Sequence, residues 1–333
     1  MITPAVARTL YIDSALVGRG ESLHGVHGSG LSALGSRPVQ RSLFRAGRRE
    51  PKAQSRKPKV ESRQALGMFE RIESIDDPRI AAYRDLPDPE LVLRRGLFIA
   101  EGRLVVRRVI ADGRWHIHSV LVNQAACESL ASALDAVAER TPVYLCDAEA
   151  FCGITGFNIH RGCLALVERP AAQPPEAVIA QAHTVVVLEA VANADNVGGI
   201  FRNAAAFGAD AVLLSPACCD PLYRKAIRTS MAAVLRVPFA RCDDWPQDLV
   251  RLRDRGFTIV ALTPREPAVT LAEFAAKPRP ERVALVAGAE GTGLSAGVEQ
   301  AADHRVRIPI ASSVDSLNVA VAVGIALHAM RSL

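Results

Sequence analysis

Residues 184–216 read TVVVLEAVANADNVGGIFRNAAAFGADAVLLSP, and the change of rhythm inside this stretch decides the fold. TVVVLEAV is an apolar run of strand length, rich in β-branched valine. VGGIFRNAAAFG then spaces its apolar residues at helical intervals, and AVLLSP returns to a short unbroken run. A strand buried on both faces shows such a run rather than alternation, and strand–helix–strand order joins parallel neighbours. The rhythm continues downstream. FTIVAL, RVALVAG and RVRIPI read as further strands, and LYRKAIRTSMAAVL and SLNVAVAVGIALHAM as helices. Residues 183–333 are therefore expected to form an α/β domain with a parallel sheet covered on both faces. Ligands of such sheets sit beyond the carboxyl ends of the strands, so the residues just after each strand carry the interest.

Upstream the pattern is similar but weaker. RLVVRRVIADG has apolar residues at helical spacing and ends at Gly113, while IHSVLVN, PVYLC and CLALVER read as short buried strands. Residues 67–170 are expected to form a separate small α/β domain, and the proline-bearing RPAAQPPEAVIAQ places a linker at 171–182. Residues 1–66 hold 12 basic and 4 acidic side chains, against 28 basic and 31 acidic in the rest. The formal net charge of +5 thus belongs to this leader. Its end, FRAGRREPKAQSRKPKVESRQ, is nearly free of apolar residues and is expected to be disordered. An arm that gathers RNA phosphates and an organelle transit peptide both suit its composition. The plainer reading is a dispensable tail, or a start placed too early, with Met68 as the true first residue.

Seven cysteines (Cys127, Cys146, Cys152, Cys163, Cys218, Cys219 and Cys242) are scattered without a C-x-x-C pair. This argues against a disulfide framework or a structural zinc site and for a reducing, cytoplasmic setting. No apolar run reaches the roughly 18 residues of a membrane span, and no partner membrane is expected.

Three strand-to-helix junctions carry candidate chemistry. In the first, Asn193–Arg202, Asp195 or Asn196 can cap the following helix, and Gly198 and Gly199 allow a backbone or ligand to come close. Arg202 stands on an otherwise apolar helix, as a phosphate or ribose contact or a plain surface arginine. The second, Gly288–Ser295, is a glycine-rich loop directly after RVALVA. It lacks the Gly-Lys-Ser/Thr of a phosphate loop and the spacing of a dinucleotide fingerprint. Glu290 within it would repel a pyrophosphate, so a neutral or cationic ligand suits it better; an ordinary turn capped at Ser295 is the alternative. The third is Ile308-Pro-Ile310, leading to Ser316-Leu317-Asn318. Here Ser316 is read as the helix cap, with Asn318 in the first turn presenting an amide able to meet a ribose hydroxyl. Arg224, Lys225 and Arg228 share one helix, either as RNA contacts or as a solvated basic face. Cys218-Cys219 is read as a packing pair. His183, His304 and His328 lack metal-ligand spacing, and no metal is called for.

Taken together and in this order, the junctions resemble the three signature motifs of the SpoU (TrmH-like) RNA 2′-O-ribose methyltransferases of the SPOUT superfamily. They read Asn196-Val-Gly198-Gly-Ile-Phe-Arg202, Gly288-Ala-Glu290-Gly-Thr-Gly-Leu294 and Ile308-Pro-Ile with Ser316-Leu317-Asn318-Val319. Ala289, Ile310 and Ser313 depart from the commonest residues of the motifs. YRKAIRTSMAAVLRVP resembles a further family segment. LFIAEGRLVVRRVI and ITGFNIHRGCLALVERP are similar, more loosely, to the family's ribosomal-protein-like RNA-binding domain.

The resemblance implies a trefoil-knotted domain, a homodimer, S-adenosylmethionine as methyl donor and structured RNA as substrate, ribosomal RNA before transfer RNA. It implies catalytic roles for Arg202, Asn196, Glu290, Ser316 and Asn318. The cofactor would be held by Leu262, Thr263, Gly288, Glu290, Gly291, Ile308, Ile310 and Leu317. RNA would be met by Arg202, Arg224, Lys225 and Arg228. A transfer-RNA methyltransferase, a non-catalytic RNA-binding protein with a methyltransferase-like domain, and a nucleotide-dependent oxidoreductase are the other readings. The missing dinucleotide fingerprint speaks against the last.

Overall fold

In the computed structural model, which describes residues 69–84, 87–155 and 162–331, the valine-rich run lies in the middle of a seven-stranded sheet. Its strands are β6 (Thr184–Glu189), β7 (Ala211–Leu214), β8 (Phe239–Arg241), β9 (Phe257–Leu262), β10 (Val269–Thr270), β11 (Arg282–Gly288) and β12 (His304–Arg307). They lie in the order β10-β12-β9-β11-β6-β7-β8, and every pairing is parallel. The order doubles back between β8 and β9, and on that side the later strands insert inward: β11 between β9 and β6, and β12 between β10 and β9.

A second sheet precedes it, made of β1 (Glu70–Arg71), β2 (Leu97–Glu101), β3 (Ile117–Asn123), β4 (Val143–Cys146) and β5 (Cys163–Glu168) in the order β1-β4-β3-β5-β2. β5 runs antiparallel to β2 and β3; the remaining pairs are parallel. The helices are α1 (Arg103–Asp112), α2 (Gln124–Asp135), α3 (Ala148–Thr155), α4 (Pro175–Val178), α5 (Ala194–Phe207), α6 (Arg224–Thr229), α7 (Gln247–Asp254), α8 (Leu271–Ala275), α9 (Ala296–Ala301) and α10 (Val319–Arg331).

Alternate residues of β6 serve opposite layers, as the pleat requires. Val186 and Leu188 pack with Val197, Ile200 and Phe201 of α5 and Val323 and Leu327 of α10. Val185 and Val187 pack with Leu249 and Leu252 of α7 and Val298 of α9. Gly199 lets α5 and α10 close up: a Cβ there would lie 2.9 Å from that of Ala320. Both sheets fall in one compact unit, and the apolar layer under α5 is continuous with the α1–α2 side of the first sheet. At their joint, Arg108 donates to the carbonyl of Met231 and Arg114 to that of Leu235.

Several local expectations are corrected. LYRKAIRTSMAAVL is not one helix. α6 stops at Thr229; Met231 and Ala232 take left-handed φ values of 52° and 66°, and a 3-10 turn covers Ala233–Leu235. α5 is capped by Asn193, whose side chain accepts from the Asp195 N–H, not by Asp195 or Asn196. α10 is capped by Asn318, which accepts from the N–H groups of Ala320 and Val321, not by Ser316. Within RVRIPI only Arg305–Arg307 pair with a neighbouring strand, and Ile308–Ile310 leave the sheet. The leader and most of ITGFNIHRG lie outside the described residues. Among the described residues no helix is long and apolar enough to cross a membrane.

Candidate active site

β12, β9 and β11 are neighbours, and their carboxyl ends release the chain at Arg307, Leu262 and Gly288. The three following segments enclose a cleft that opens to solvent, the concave kind of place where small ligands bind. Leu262, Thr263, Gly288, Glu290, Gly291, Ile308, Ile310 and Leu317 all line it, as does Ser316. Residues from positions 262 to 317 thus meet at one sheet edge, where the strand-end rule for parallel sheets directs attention.

The glycine-rich loop is tightly folded. A Cβ on Gly288 would lie 2.4 Å from the backbone of Gly293, Gly291 and Gly293 adopt φ of +87° and +68°, and Gly293 N–H donates to Ala289 O. Only glycine satisfies both the contact and the left-handed turns, so at these positions the loop presents bare backbone to the cleft, with Glu290 as its charged side chain. Arg265, overlooked in the sequence, buttresses it. Its guanidinium donates to the carbonyls of Thr292 (2.7 Å) and Leu294 (3.0 Å). Buried Thr263 donates to Glu299 (2.9 Å), which also faces Arg265. Glu189, at the end of β6, is a second omission. It accepts from the N–H and hydroxyl of Ser295, the cap of α9, and from the Trp245 indole. Both were legible only as polar residues at strand ends; their partners lie 27 to 106 positions away.

Asn318 is the hub of the rim. Its carbonyl caps α10, and its amide donates to Asn196 Oδ1 (2.8 Å) and Glu290 Oε1 (2.7 Å). A single side chain thereby joins all three motifs: buried Asn196 on α5, the glycine-rich loop and the third junction. Asparagine suits this position because it offers an acceptor to the helix and two donors outward.

Arg202 stands apart from that hub. It lies six residues beyond Asn196 on α5, which turns it about 120° around the helix axis. It shares its side of α5 with Asp195, Gly198 and Gly199, is exposed, and does not line the cleft of its own chain. It forms no hydrogen bond or ion pair among the described residues.

The α6 basic residues are engaged within the chain. Arg224 pairs with buried Glu101 at 2.6 Å, Arg228 reaches the same carboxylate at 3.4 Å, and Lys225 meets Asp195 at 2.7 Å. The Arg224 N–H also donates to Asp88, whose carboxyl is pushed up from its ordinary value by burial. Arg224 therefore joins the two sheets instead of standing free for RNA. Partial burial raises the Asp195 carboxyl, but hydrogen bonds from Lys225 and Thr229 outweigh it, and its pKa falls below the ordinary value. Cys218 and Cys219 are buried, as a packing pair requires. Cys218 donates to Leu188 O, and burial pushes the Cys219 thiol up to about 12.

Comparison with known proteins agrees with this layout. Residues 183–328 match the model of the SpoU rRNA Methylase family. An uncharacterized tRNA/rRNA methyltransferase of Mycobacterium tuberculosis is 42% identical over 257 residues, covering 76% of this chain and 88% of the relative. A Bacillus subtilis 23S rRNA (guanosine-2′-O)-methyltransferase is 24% identical, over 79% of this chain and 100% of its own length. The crystal structure of an AdoMet-bound rRNA methyltransferase from Sinorhizobium meliloti superposes with a TM-score of 0.69 at 27% identity, over 80% of this chain and 98% of that one. The α/β fold, the three motifs at one sheet edge and these relatives lead to one conclusion: the chain belongs to the SpoU rRNA methylase family of RNA methyltransferases.

Proposed function

We propose that this protein methylates the 2′-hydroxyl of a ribose in structured RNA, with S-adenosylmethionine as donor and ribosomal RNA as a better candidate than transfer RNA. The observation that carries the reading is Asn318, which bonds Asn196 of the first motif and Glu290 of the second beside the cleft that the second and third motifs line. The cleft fits the cofactor in kind. Leu262, Ile308, Ile310 and Leu317 offer apolar walls, strand-end backbone offers hydrogen bonds, and Glu290 puts a carboxylate where a cationic sulfonium is favoured over a phosphate. When bound, S-adenosylmethionine supplies the methyl group in an already activated form.

The chain's own residues then have to orient the ribose and ease loss of its proton. Asn196 and Asn318, fixed by their mutual bond, would position the ribose, with Ser316 beside them. Arg202 would steady the developing negative charge on the 2′-oxygen and the adjoining phosphate; a guanidinium is too weak an acid to serve readily as a base.

Because Arg202 faces away from its own cleft, the reading requires a homodimer in which the α5–α10 side is shared. Val314, Val321 and Ile325 are exposed on and beside α10, the kind of apolar patch a partner covers. Residues 183–333 are proposed as the knotted methyltransferase domain, and 67–170 as an RNA-binding domain in a cytoplasmic enzyme. The Bacillus subtilis relative's name favours ribose over base methylation and ribosomal over transfer RNA.

The test is transfer of labelled methyl from S-adenosylmethionine to ribosomal and transfer RNA from cells lacking the protein, followed by mapping of 2′-O-methyl positions. Label on a ribose supports the proposal. Label on a base, or binding of the donor without transfer to either RNA, refutes it.

A further inference from the structure

On the first sheet, away from the cleft, a strand start, a β-bulge and a strand end bring two imidazoles and a carboxylate together. His116 and His118 flank Ile117, the first residue of β3. Alternation sends Ile117 into the core and both imidazoles outward on the same side. The register with β5 slips between Ile117 and Ser119, and such a bulge re-aims the side chain it contains, here that of His118. Glu168 ends β5 opposite them, and its N–H donates to His116 O at 2.9 Å. The two rings stand edge to face with centroids 5.0 Å apart, and His118 Nε2 lies 3.9 Å from Glu168 Oε2. One donor atom from each residue lies within 4.8 Å of the other two.

We propose that His116, His118 and Glu168 form a binding site for a divalent transition-metal ion of the zinc type. Two imidazoles and a carboxylate are a borderline nitrogen–oxygen set that selects zinc, cobalt, nickel or copper over calcium and magnesium. Tetrahedral zinc with bonds of about 2.1 Å holds its ligand atoms about 3.4 Å apart. All three side chains are exposed, so rotation about their own bonds closes the remaining distance without moving the core. The fourth position stays open to water.

Nearby cations are turned elsewhere. Arg114 pairs with Asp112 at 3.0 Å and donates to Leu235 O, and Arg169 pairs with Asp220 at 2.8 Å. Glu168 has no Lys or Arg partner among the described residues. These two arginines also give the site a purpose. Arg114 lies two residues before His116 and Arg169 directly follows Glu168, and both hold on to the region between β7 and β8, on the methyltransferase side of the joint. An ion clamping the ends of β3 and β5 would stiffen the base from which they reach.

The full chain, free of any polyhistidine tag and stripped with EDTA, is titrated with zinc chloride by calorimetry and with cobalt chloride by visible absorption. One equivalent bound with micromolar affinity is expected. His116→Ala and Glu168→Gln should each weaken it about tenfold or more, whereas His183→Asn should leave it unchanged. Zinc should raise the melting temperature of the native protein and not that of His116→Ala. The site is refuted by millimolar affinity, by binding that survives the double variant His116→Ala, His118→Ala, or by thiolate charge-transfer bands in the cobalt spectrum.

Discussion

Arg202 and the pair Arg224 and Arg228 stand on adjacent helices, yet their surroundings are opposite. The pair converges on Glu101, which is only 2% exposed, so its charge is matched inside the chain. Arg202 projects from α5 with no ion-pair partner among the described residues. From the sequence all three arginines read alike as RNA contacts; the fold separates a joint from a free cation. A buried carboxylate that draws in two guanidiniums marks where a protein holds itself together. An exposed guanidinium without an ion-pair partner among the described residues, beside a motif that resembles the family's, marks where it awaits one.

The sharpest way to break this contrast is Arg202→Ala. Methyl transfer to RNA should fall about 100-fold or more, while calorimetric binding of S-adenosylmethionine changes less than about twofold and stability stays within about 0.5 kcal/mol. Retained transfer would put Arg202 among ordinary surface residues. Glu101→Ala should do the converse. Removing one partner of a buried pair typically costs about 3–5 kcal/mol. Because Arg228 is 38% exposed, solvent screening reduces this to about 2–4 kcal/mol in urea unfolding. Binding of the donor should survive.

Asn318→Ala tests the hub and should cost about 1–2 kcal/mol through loss of the α10 cap, together with affinity for the donor. Asn318→Ser restores a capping oxygen but not the reach to Asn196 and Glu290, so stability should return without the affinity. The smallest effect concerns Asp195. Its pKa in the folded chain lies below the ordinary value of 3.8, so its contribution is fully present above that pH and lost as pH falls through the folded value. The stability gap between native protein and Asp195→Asn should therefore shrink in acid below pH 3.8.

Much of the parallel sheet was legible, because strands buried on both faces leave unbroken apolar runs such as Val185–Leu188. The three loops were legible because glycines and amides cluster after those runs. What escaped notice rests on distant contacts or short elements. β8 and β10 have three and two residues, too few for a periodic signal. The α6 break at Met231 and Ala232 follows from packing that overrides a sequence with good helix propensity. Three capping candidates, Asp195, Asn196 and Ser316, lost to Asn193 and Asn318 because a cap is chosen by where the helix axis begins, which one-dimensional spacing leaves free by two or three residues. The Arg224–Glu101 pair spans 123 positions and leaves no local trace.

One feature of the joint reaches beyond this chain. Arg108 and Arg114 grip the methyltransferase half through the carbonyl oxygens of Met231 and Leu235, atoms that every amino acid carries. Residues 231 and 235 can therefore drift without loosening that grip, whereas the two arginines cannot. At this turn the specific side chains are all on the amino-terminal side, whereas elsewhere in the joint Asp220, Arg224 and Arg228 supply the methyltransferase half's own. Related catalytic halves that keep the same turn, with Asp220, Arg224 and Arg228, should be exchangeable beneath it, giving evolution, or an engineer, a modular seam along which to graft a different amino-terminal half onto an old transferase.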